Sequence, residues 1–252
     1  MTKTVLITGA TSGIGKALVQ RFSQEKYNII ITGRRENRLK KIKIENEELF
    51  NNKILTLKFD ITNHQIVKNS LNSLPNHWKK IDILVNNAGL ARGLDKIQDA
   101  SIKDWEEMID TNIKGLLYVS HIVSNWMEQH NKGHIINIGS TAGKEVYEKG
   151  GVYCATKHAV DAISKSLRID LLKSGIKVTQ VCPGAVKTEF SKIRFHGNTK
   201  KANDVYSGYT PLRAEEVADV IFYTSNLPAN VCINDLVITS LNQANSFYIS
   251  RR

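Results

Sequence analysis

The sequence predicts an α/β fold in which helices cover both faces of one doubly wound parallel sheet of about seven strands. Short runs rich in Ile, Val and Leu alternate along the chain with longer amphipathic stretches. Such alternation implies right-handed crossovers, and therefore a parallel sheet that is buried on both faces. A length of 252 residues with 41% hydrophobic residues suits one domain, so we expect a single domain over residues 1–252.

A glycine-rich turn separates the first predicted strand, Thr4–Thr8, from an amphipathic helix that is expected to end near Gln24. Its glycines are spaced Gly-x-x-x-Gly-x-Gly. Glycines at such a turn let the backbone approach a pyrophosphate, which free amides and the helix dipole stabilise. We therefore predict a Rossmann-type dinucleotide site here, with a tight connection that binds nothing as the alternative. The residues of this predicted site are Thr8, Gly9, Thr11, Ser12, Gly13, Ile14 and Gly15.

Two arginines follow the second predicted strand, Asn28–Thr32. Enzymes that use NAD place an Asp or Glu about 20 residues past the glycine turn, where it binds the ribose hydroxyls. This chain has Arg34 and Arg35 at that point, and the first acid, Glu36, comes later. Because Arg forks bind phosphate oxygens in bidentate fashion, the pair predicts a 2′-phosphate and hence NADP. The alternative is two exposed arginines at the start of a helix.

The third and fourth predicted strands end in residues that suit the rest of a dinucleotide. The run Lys53–Phe59 leads into Asp60 and Ile61, where the carboxylate can accept a hydrogen bond from an adenine amino group. The run Ile81–Val85 leads into small and amide-bearing residues that can flank a ribose. We therefore add five residues to the predicted cofactor site, namely Asp60, Ile61, Asn87, Ala88 and Gly89.

The next helix and strand each carry one polar residue of interest. A helix predicted from about Asp104 to Gln129 contains Asn112, which is mildly unfavourable in a helix interior and so can serve another purpose. The following strand, Gly133–Ile138, ends just before Ser140. Because α/β folds bind ligands at the carboxyl ends of their strands, the Ser140 hydroxyl is expected to donate to a substrate oxygen.

Tyr153 and Lys157 stand four residues apart in the helix predicted from about Gly151. Residues at this spacing share one helix face, so the ammonium can lie below the phenol ring. A nearby positive charge favours the phenolate and lowers the pKa of a tyrosine from its ordinary value of about 10. We therefore expect Tyr153 to be a general base, with a mere surface pair as the alternative.

Taken together, these motifs resemble the short-chain dehydrogenase/reductase family over nearly the whole chain. The motifs are Thr8-Gly9-x-x-x-Gly13-x-Gly15, Asn86-Asn87-Ala88-Gly89, Asn112, Ser140, Tyr153-x-x-x-Lys157 and Pro183-Gly184. Within the family the chain is similar to the NADP-dependent 3-hydroxy acid dehydrogenases, through stretches such as Thr32–Arg35, Ile109–Asn112 and Thr188–Ser191. The segment Ala185–Lys187 and the residues from about Leu241 onward depart from that subgroup.

The resemblance implies a role for each of the catalytic candidates. Tyr153 would be the general acid/base, and Lys157 would hold the nicotinamide ribose and lower the tyrosine pKa. Ser140 would orient the substrate oxygen, and Asn112 would anchor a water that relays protons from Lys157. After a sixth strand at Lys177–Cys182, the cofactor would also be contacted by Pro183, Gly184, Val186 and Thr188. The resemblance further implies a small-molecule substrate and a homotetramer.

Residues 189–209 are polar, contain two glycines and show little periodicity, so we interpret them as a substrate lid. Within the lid, Arg194 is expected to neutralise the carboxylate of a small hydroxy acid, with a solvated arginine as the alternative. A helix at about Ala214–Ser225 and a strand near Leu236–Thr239 are predicted to complete the sheet.

The bulk composition argues against several classes of partner. The net charge of +11 suggests polyanion binding, but the basic residues are spread along the chain, so we expect neither nucleic acid nor membrane as a specific partner. The three cysteines form no CxxC pair, so neither a disulfide framework nor a metal site is predicted. Without a signal-like segment or a run of membrane-spanning length, we expect a cytoplasmic enzyme.

The interpretation that follows is an NADP-dependent oxidoreductase acting on a small 3-hydroxy acid such as L-serine. A second interpretation is a reductase of the same family with another carbonyl substrate, for instance a 3-oxoacyl thioester or a ketone. A third is a catalytically silent NADP-binding sensor, which need not keep Ser140, Tyr153 and Lys157 together. A nucleic-acid protein would instead show DNA affinity that falls steeply with salt.

Overall fold

A seven-stranded parallel sheet forms the centre of the computed structural model, which describes residues 2–252. The strands are β1 (Thr4–Ile7), β2 (Asn28–Gly33), β3 (Ile54–Lys58), β4 (Ile83–Asn86), β5 (Gly133–Ile138), β6 (Ile176–Pro183) and β7 (Asp235–Ile238). Their order in the sheet is β3-β2-β1-β4-β5-β6-β7, so β2 and β3 lie on one side of β1 and β4 to β7 lie on the other. This order confirms the predicted doubly wound α/β fold, and its switch point between β1 and β4 is where such folds bind ligands.

Helices lie on both faces of the sheet because successive strand residues point to opposite sides. Val5 and Ile7 belong to one core cluster, which includes apolar residues from the helical stretches 17–22, 39–42 and 214–221. Leu6 belongs to the other, which includes apolar residues from the helical stretches 67–71 and 119–127, with Leu167 packed against it. The helices are α1 (Gly13–Gln24), α2 (Glu36–Phe50), α3 (His64–Asn72), α4 (Ile102–Ile109), α5 (Leu116–Glu128), α6 (Gly151–Asp170), α7 (Phe190–Arg194), α8 (Thr199–Asp204) and α9 (Ala214–Ser225).

The helix predicted as continuous from Asp104 to Gln129 is divided in two. A π-helical turn at Asp110–Gly115 separates α4 from α5. The side chain of Asn112 accepts a hydrogen bond from the backbone nitrogen of Leu90 (2.9 Å) and donates to the carbonyl of Leu90 (2.8 Å). These two bonds couple the wide turn to the loop after β4, which explains an interruption that hydrophobic periodicity does not reveal. Such turns occur frequently at functional sites.

The segment expected to be an irregular lid contains two short helices, α7 and α8. Its first helix is tied to the loop after β4, since the backbone nitrogen of Gly93 donates to the carbonyl of Arg194 (2.9 Å). This hydrogen bond joins the end of α7 to the loop after β4. All three cysteines are free thiols. No helix within residues 2–252 is long and apolar enough to cross a bilayer.

Candidate active site

A cavity of about 440 Å³ lies at the carboxyl ends of the strands and brings most of the predicted site residues together. The predicted residues that line it are Gly9, Thr11, Ser12, Gly13, Ile14, Arg34, Arg35, Asp60, Ile61, Asn87, Ala88, Gly89, Ser140, Tyr153, Lys157, Pro183, Gly184, Val186 and Thr188. Four predicted residues are absent from its walls, namely Thr8, Gly15, Asn112 and Arg194.

The glycine turn forms a cradle that a side chain would fill. Gly9 and Gly13 have φ angles of +65° and +52°, in the left-handed region that favours glycine. A Cβ atom on Gly15 would lie 2.4 Å from the carbonyl oxygen of Gly9 and 2.5 Å from the amide nitrogen of Asn87. Gly15 therefore contributes close packing of α1 against β1 and β4 rather than cavity wall. The open, amide-rich turn at the start of α1 fits the pyrophosphate of a dinucleotide.

Thr8 acts behind the cavity wall. Its hydroxyl accepts hydrogen bonds from the backbone nitrogens of Asn87 and Ala88, both at 3.0 Å. The side chain of Asn87 in turn donates to the carbonyls of Thr8 (2.8 Å) and Gly9 (3.1 Å). Thr8 is fully buried behind the cavity wall, and its contact with the cofactor stays a prediction. It holds the ends of β1 and β4 together at the switch point.

The two arginines after β2 line the cavity next to the glycine turn. Arg35 donates to the hydroxyls of Thr11 (2.6 and 2.9 Å) and Ser12 (2.8 Å), which fixes its guanidinium over the glycine turn. It also pairs with Glu189 at 2.8 Å. The hydrogen bond from Arg35 is the main reason that the pKa of Glu189 is held below its ordinary value. Arg34 is more exposed and lies 3.5 Å from Asp60.

Tyr153 and Lys157 both line the cavity, but the pKa of Tyr153 differs from the expectation. Burial is the main cause that raises the pKa of Tyr153 above its ordinary value, and the neighbouring Tyr147 adds to it. Arg194 and a hydrogen bond with Ser140 act in the opposite direction. The expected lowering by Lys157 is not found. A side chain that is only 8% exposed loses more by desolvation than its neighbours return.

Lys157 is itself desolvated. Only 6% of the residue is exposed, and its ammonium donates to the carbonyl of Ile138 at 2.8 Å. Burial lowers its pKa from 10.5 to about 8. The lysine therefore still carries a charge at neutral pH, and it is anchored to the end of β5, next to Ser140.

Asn112 is buried outside the cavity, and its side chain forms hydrogen bonds with protein partners. Besides the two bonds to Leu90, it donates to the hydroxyl of Thr156 at 3.0 Å. Thr156 donates in turn to the carbonyl of Tyr153 at 2.8 Å. Asn112 thus connects the loop after β4 to the catalytic helix α6, and its part in a proton relay stays a prediction.

Arg194 lies beside Tyr153, but not in the wall of the large cavity. Its guanidinium carbon is 4.8 Å from the centre of the Tyr153 ring, and one nitrogen donates to the Tyr147 hydroxyl at 2.6 Å. Its buried Nε atom has no hydrogen-bond partner within residues 2–252. Together with Tyr153 and Arg92, it lines a recess of about 20 Å³, which has room for roughly one water molecule.

Several cavity residues were missed by the sequence analysis. Leu90 and Arg92 directly follow the predicted ribose-flanking residues, so an extension of that segment by three residues would have included them. Phe190 and Ile193 are spaced three apart in the lid, and this helical spacing of apolar residues was an available signal. The remaining missed residues are Thr32, Gly33, Phe59, Thr111, Ile138 and Gly139.

Comparison with known proteins finds relatives that include dehydrogenases and a reductase. A family model described as short chain dehydrogenase matches residues 3–198. The NADP-dependent 3-hydroxy acid dehydrogenase of Escherichia coli K12 is 45% identical over 241 residues, covering 95% of this chain and 96% of the relative. Sulfoacetaldehyde reductase 2 of Chromohalobacter salexigens is 41% identical over 253 residues, covering all of both chains. The closed form of a serine dehydrogenase complexed with NADP⁺ is 43% identical, with a TM-score of 0.93 and 99% of each chain covered.

Proposed function

Because the chain belongs to the short-chain dehydrogenase family, we propose that it is an NADP-dependent oxidoreductase acting on a small 3-hydroxy acid such as L-serine. The reaction would transfer hydride between NADP(H) and the carbon that bears the hydroxyl or carbonyl group. One observation carries the proposal. Ser140, Tyr153 and Lys157 converge on the same cavity as a glycine turn and an arginine pair.

The cavity walls suit NADP at each of its parts. The turn from Gly9 to Ile14 would receive the pyrophosphate, and Arg34 and Arg35 would receive the 2′-phosphate. The segment Pro183–Thr188 would lie beside the nicotinamide. When bound, NADP supplies the hydride acceptor for oxidation and the hydride donor for reduction.

The chain's own residues would manage the proton and the substrate oxygen. Because the pKa of Tyr153 is raised, its phenol keeps its proton at neutral pH and can donate it to the oxygen of a carbonyl substrate. In the oxidative direction the phenolate would accept the alcohol proton, and because the pKa of Tyr153 is raised, this step would become faster as the pH rises and more phenolate forms. Ser140 would hold the substrate oxygen next to Tyr153, and the charged Lys157 would hold the nicotinamide ribose.

The lid would supply recognition of the acid group. No carboxylate within residues 2–252 forms an ion pair with Arg194, which covers the ring of Tyr153. A half-buried guanidinium that lacks an ion-pair partner favours a small anion over a neutral alcohol. A second candidate is therefore reduction of another small anionic carbonyl compound. The relative that matches the chain over its whole length and is named a sulfoacetaldehyde reductase supports this alternative.

One screen tests the proposal. The purified enzyme is mixed with NADP or NAD and a panel of 3-hydroxy acids, 2-hydroxy acids and neutral alcohols, while the absorbance of the reduced nicotinamide is followed. We expect kcat/KM to be highest for a 3-hydroxy acid with NADP. A maximum for small anionic aldehydes with NADPH and none for hydroxy acids would favour the second candidate. Turnover of no alcohol or carbonyl compound would refute both.

Assembly and location are proposed on the family resemblance. The enzyme would be a homotetramer in the cytoplasm. Exposed apolar side chains such as Leu117 on α5 and Ile169 on α6 support an assembly, because a second copy could cover them. Light scattering coupled to size-exclusion chromatography measures the number of subunits, and a monomer would contradict this proposal.

A further inference from the structure

Arg92 is the one arginine that lines both the large cavity and the recess beside it. It lies in the loop that follows β4, six residues beyond the end of that strand. Tyr153 is also shared by the two spaces, so Arg92 and Tyr153 form part of the wall between them. Arg194 contributes to the recess only. The cavity therefore ends, beside the catalytic tyrosine, in a region bordered by two guanidinium groups.

The orientation of Arg92 is determined from two sides. Its Nε atom pairs with Glu107 of α4 at 2.7 Å, and one terminal nitrogen donates to the carbonyl of Ile193 in the lid at 3.0 Å. The adjacent Gly93 donates from its backbone nitrogen to the carbonyl of Arg194 at 2.9 Å. Arg92 is thus joined to α4 and to the lid, and it is placed next to Arg194 by a short backbone pairing.

In this arrangement, some N–H groups of Arg92 and Arg194 have no hydrogen-bond acceptor in the part of the chain that the structure describes. Within residues 2–252, the second terminal nitrogen of Arg92 makes no hydrogen bond, and the Nε atom of Arg194 is buried without a partner. Glu107 offsets the charge of Arg92, whereas no acid pairs with Arg194. Asp95, Asp104 and Lys149 also line the recess, so its formal charges nearly balance, but the two arginines keep more than one N–H donor without a protein acceptor. A single acid group could accept hydrogen bonds from both arginines.

We propose that Arg92 is a second residue that binds the acid group of the substrate, acting beside Arg194. This inference rests on the proposed function and makes it more specific. Glu107 reduces the positive charge that Arg92 offers to the acid group. Because the guanidinium is joined to the lid through Ile193, it is in position only when α7 packs against the loop after β4.

Calorimetric titration of the enzyme–NADP complex with malonate tests the inference without requiring turnover. Arg92→Leu keeps the apolar body of the side chain and removes its donors, so the Kd of malonate should rise by about tenfold or more. Glu107→Gln is the matched variant. It keeps an amide oxygen for Arg92 but removes the offsetting charge, so the Kd should fall by about twofold or more. Arg92→Lys should give a Kd between those of the wild type and the leucine variant.

Opposite signs for the two variants distinguish binding from a structural ion pair. If Arg92 only held α4 in place, both variants would lose the same ion pair, and neither would bind malonate more tightly than the wild type. That result, or a Kd for Arg92→Leu within about twofold of the wild type, would overturn the inference. In turnover, the ratio of kcat/KM for a 3-hydroxy acid to that for a neutral alcohol should fall by about tenfold in Arg92→Leu.

The proposed function and this inference fail separately. If the wild-type enzyme oxidises no 3-hydroxy acid, the proposed substrate is wrong, but the malonate titrations still report on Arg92. If the wild type oxidises 3-hydroxy acids and the ratio of kcat/KM is unchanged in Arg92→Leu, only the role of Arg92 is wrong.

Discussion

Replacing Lys157 by Met should stabilise the folded protein at neutral pH while it removes turnover. Burial lowers the pKa of Lys157 from 10.5 to about 8, so the ammonium remains charged in the fold at pH values below 8. In the unfolded chain the lysine keeps its ordinary pKa. The difference between the two pKa values corresponds to a cost of about 3 kcal/mol for holding the charge in the buried site.

Part of this gain is offset in the variant. The ammonium of Lys157 donates to the carbonyl of Ile138 at 2.8 Å, and Met leaves that buried carbonyl without its donor. An unsatisfied carbonyl costs about 1 to 2 kcal/mol. We therefore expect the Met variant to be more stable than the wild type by about 1 to 2 kcal/mol near pH 7. Stabilisation by removing a functional group would indicate that the site is strained for catalysis.

The pH dependence separates the two contributions. Between the folded pKa near 8 and the unfolded value of 10.5, the unfolded wild-type chain binds more protons than the folded chain. Wild-type stability therefore rises with pH in this window, while Met has no proton to lose. The advantage of the variant should shrink by about 2 to 3 kcal/mol between about pH 7 and about pH 10. The lost hydrogen bond contributes equally at both values and cancels.

Urea denaturation followed by circular dichroism measures these differences. Lys68→Met serves as the control, because Lys68 is exposed on α3 and should give nearly the same change at both pH values. If the difference between the Lys157 variant and the wild type changes by less than about 0.5 kcal/mol across the range, Lys157 is not desolvated and the reasoning is wrong.

The remaining predictions concern the cavity. Tyr153→Phe should lower kcat by about a hundredfold or more with an unchanged circular dichroism spectrum, because it removes the proton carrier, and a loss under about tenfold would remove Tyr153 from the mechanism. The double change Arg34→Ala and Arg35→Ala should lower the ratio of kcat/KM for NADP to that for NAD by about tenfold or more, and a wild type that uses both cofactors equally would contradict the assignment. Arg194→Ala should raise KM far more for a 3-hydroxy acid than for a neutral alcohol, whereas equal effects would indicate a general disturbance of the lid. Asn112→Ala should lower the free energy of unfolding by about 2 to 4 kcal/mol in urea titrations, because three buried hydrogen bonds are lost, and a change below about 1 kcal/mol would show that the π-helical turn does not depend on this side chain.

Local patterns in the sequence were sufficient for the order of strands and helices. Apolar runs such as Val5–Ile7, bounded by glycines and polar residues, predict buried strands because a parallel sheet is covered on both faces. The π-helical turn at Asp110–Gly115 could not be found in this way. It depends on hydrogen bonds between Asn112 and Leu90, which are far apart along the chain.

The residues of the glycine turn and the arginines after β2 were predictable as one end of the cavity, because each group consists of residues that are adjacent in sequence. The pattern did not distinguish residues that line the cavity from those that support it. Thr8 and Gly15 carry the motif, yet they join β1, β4 and α1 behind the wall. Only the packing of three separate elements determines that role.

The catalytic end depended on the tertiary structure. The sequence by itself determined that Tyr153 and Lys157 share a helix face, but the pKa of each is controlled by burial, which arises from the lid and from β5. In the same way, Arg92 becomes part of the site only because Glu107 and Ile193, 15 and 101 residues away in sequence, hold its guanidinium. Desolvation and the neighbours of a charge are properties of the packed chain, and a linear pattern contains neither.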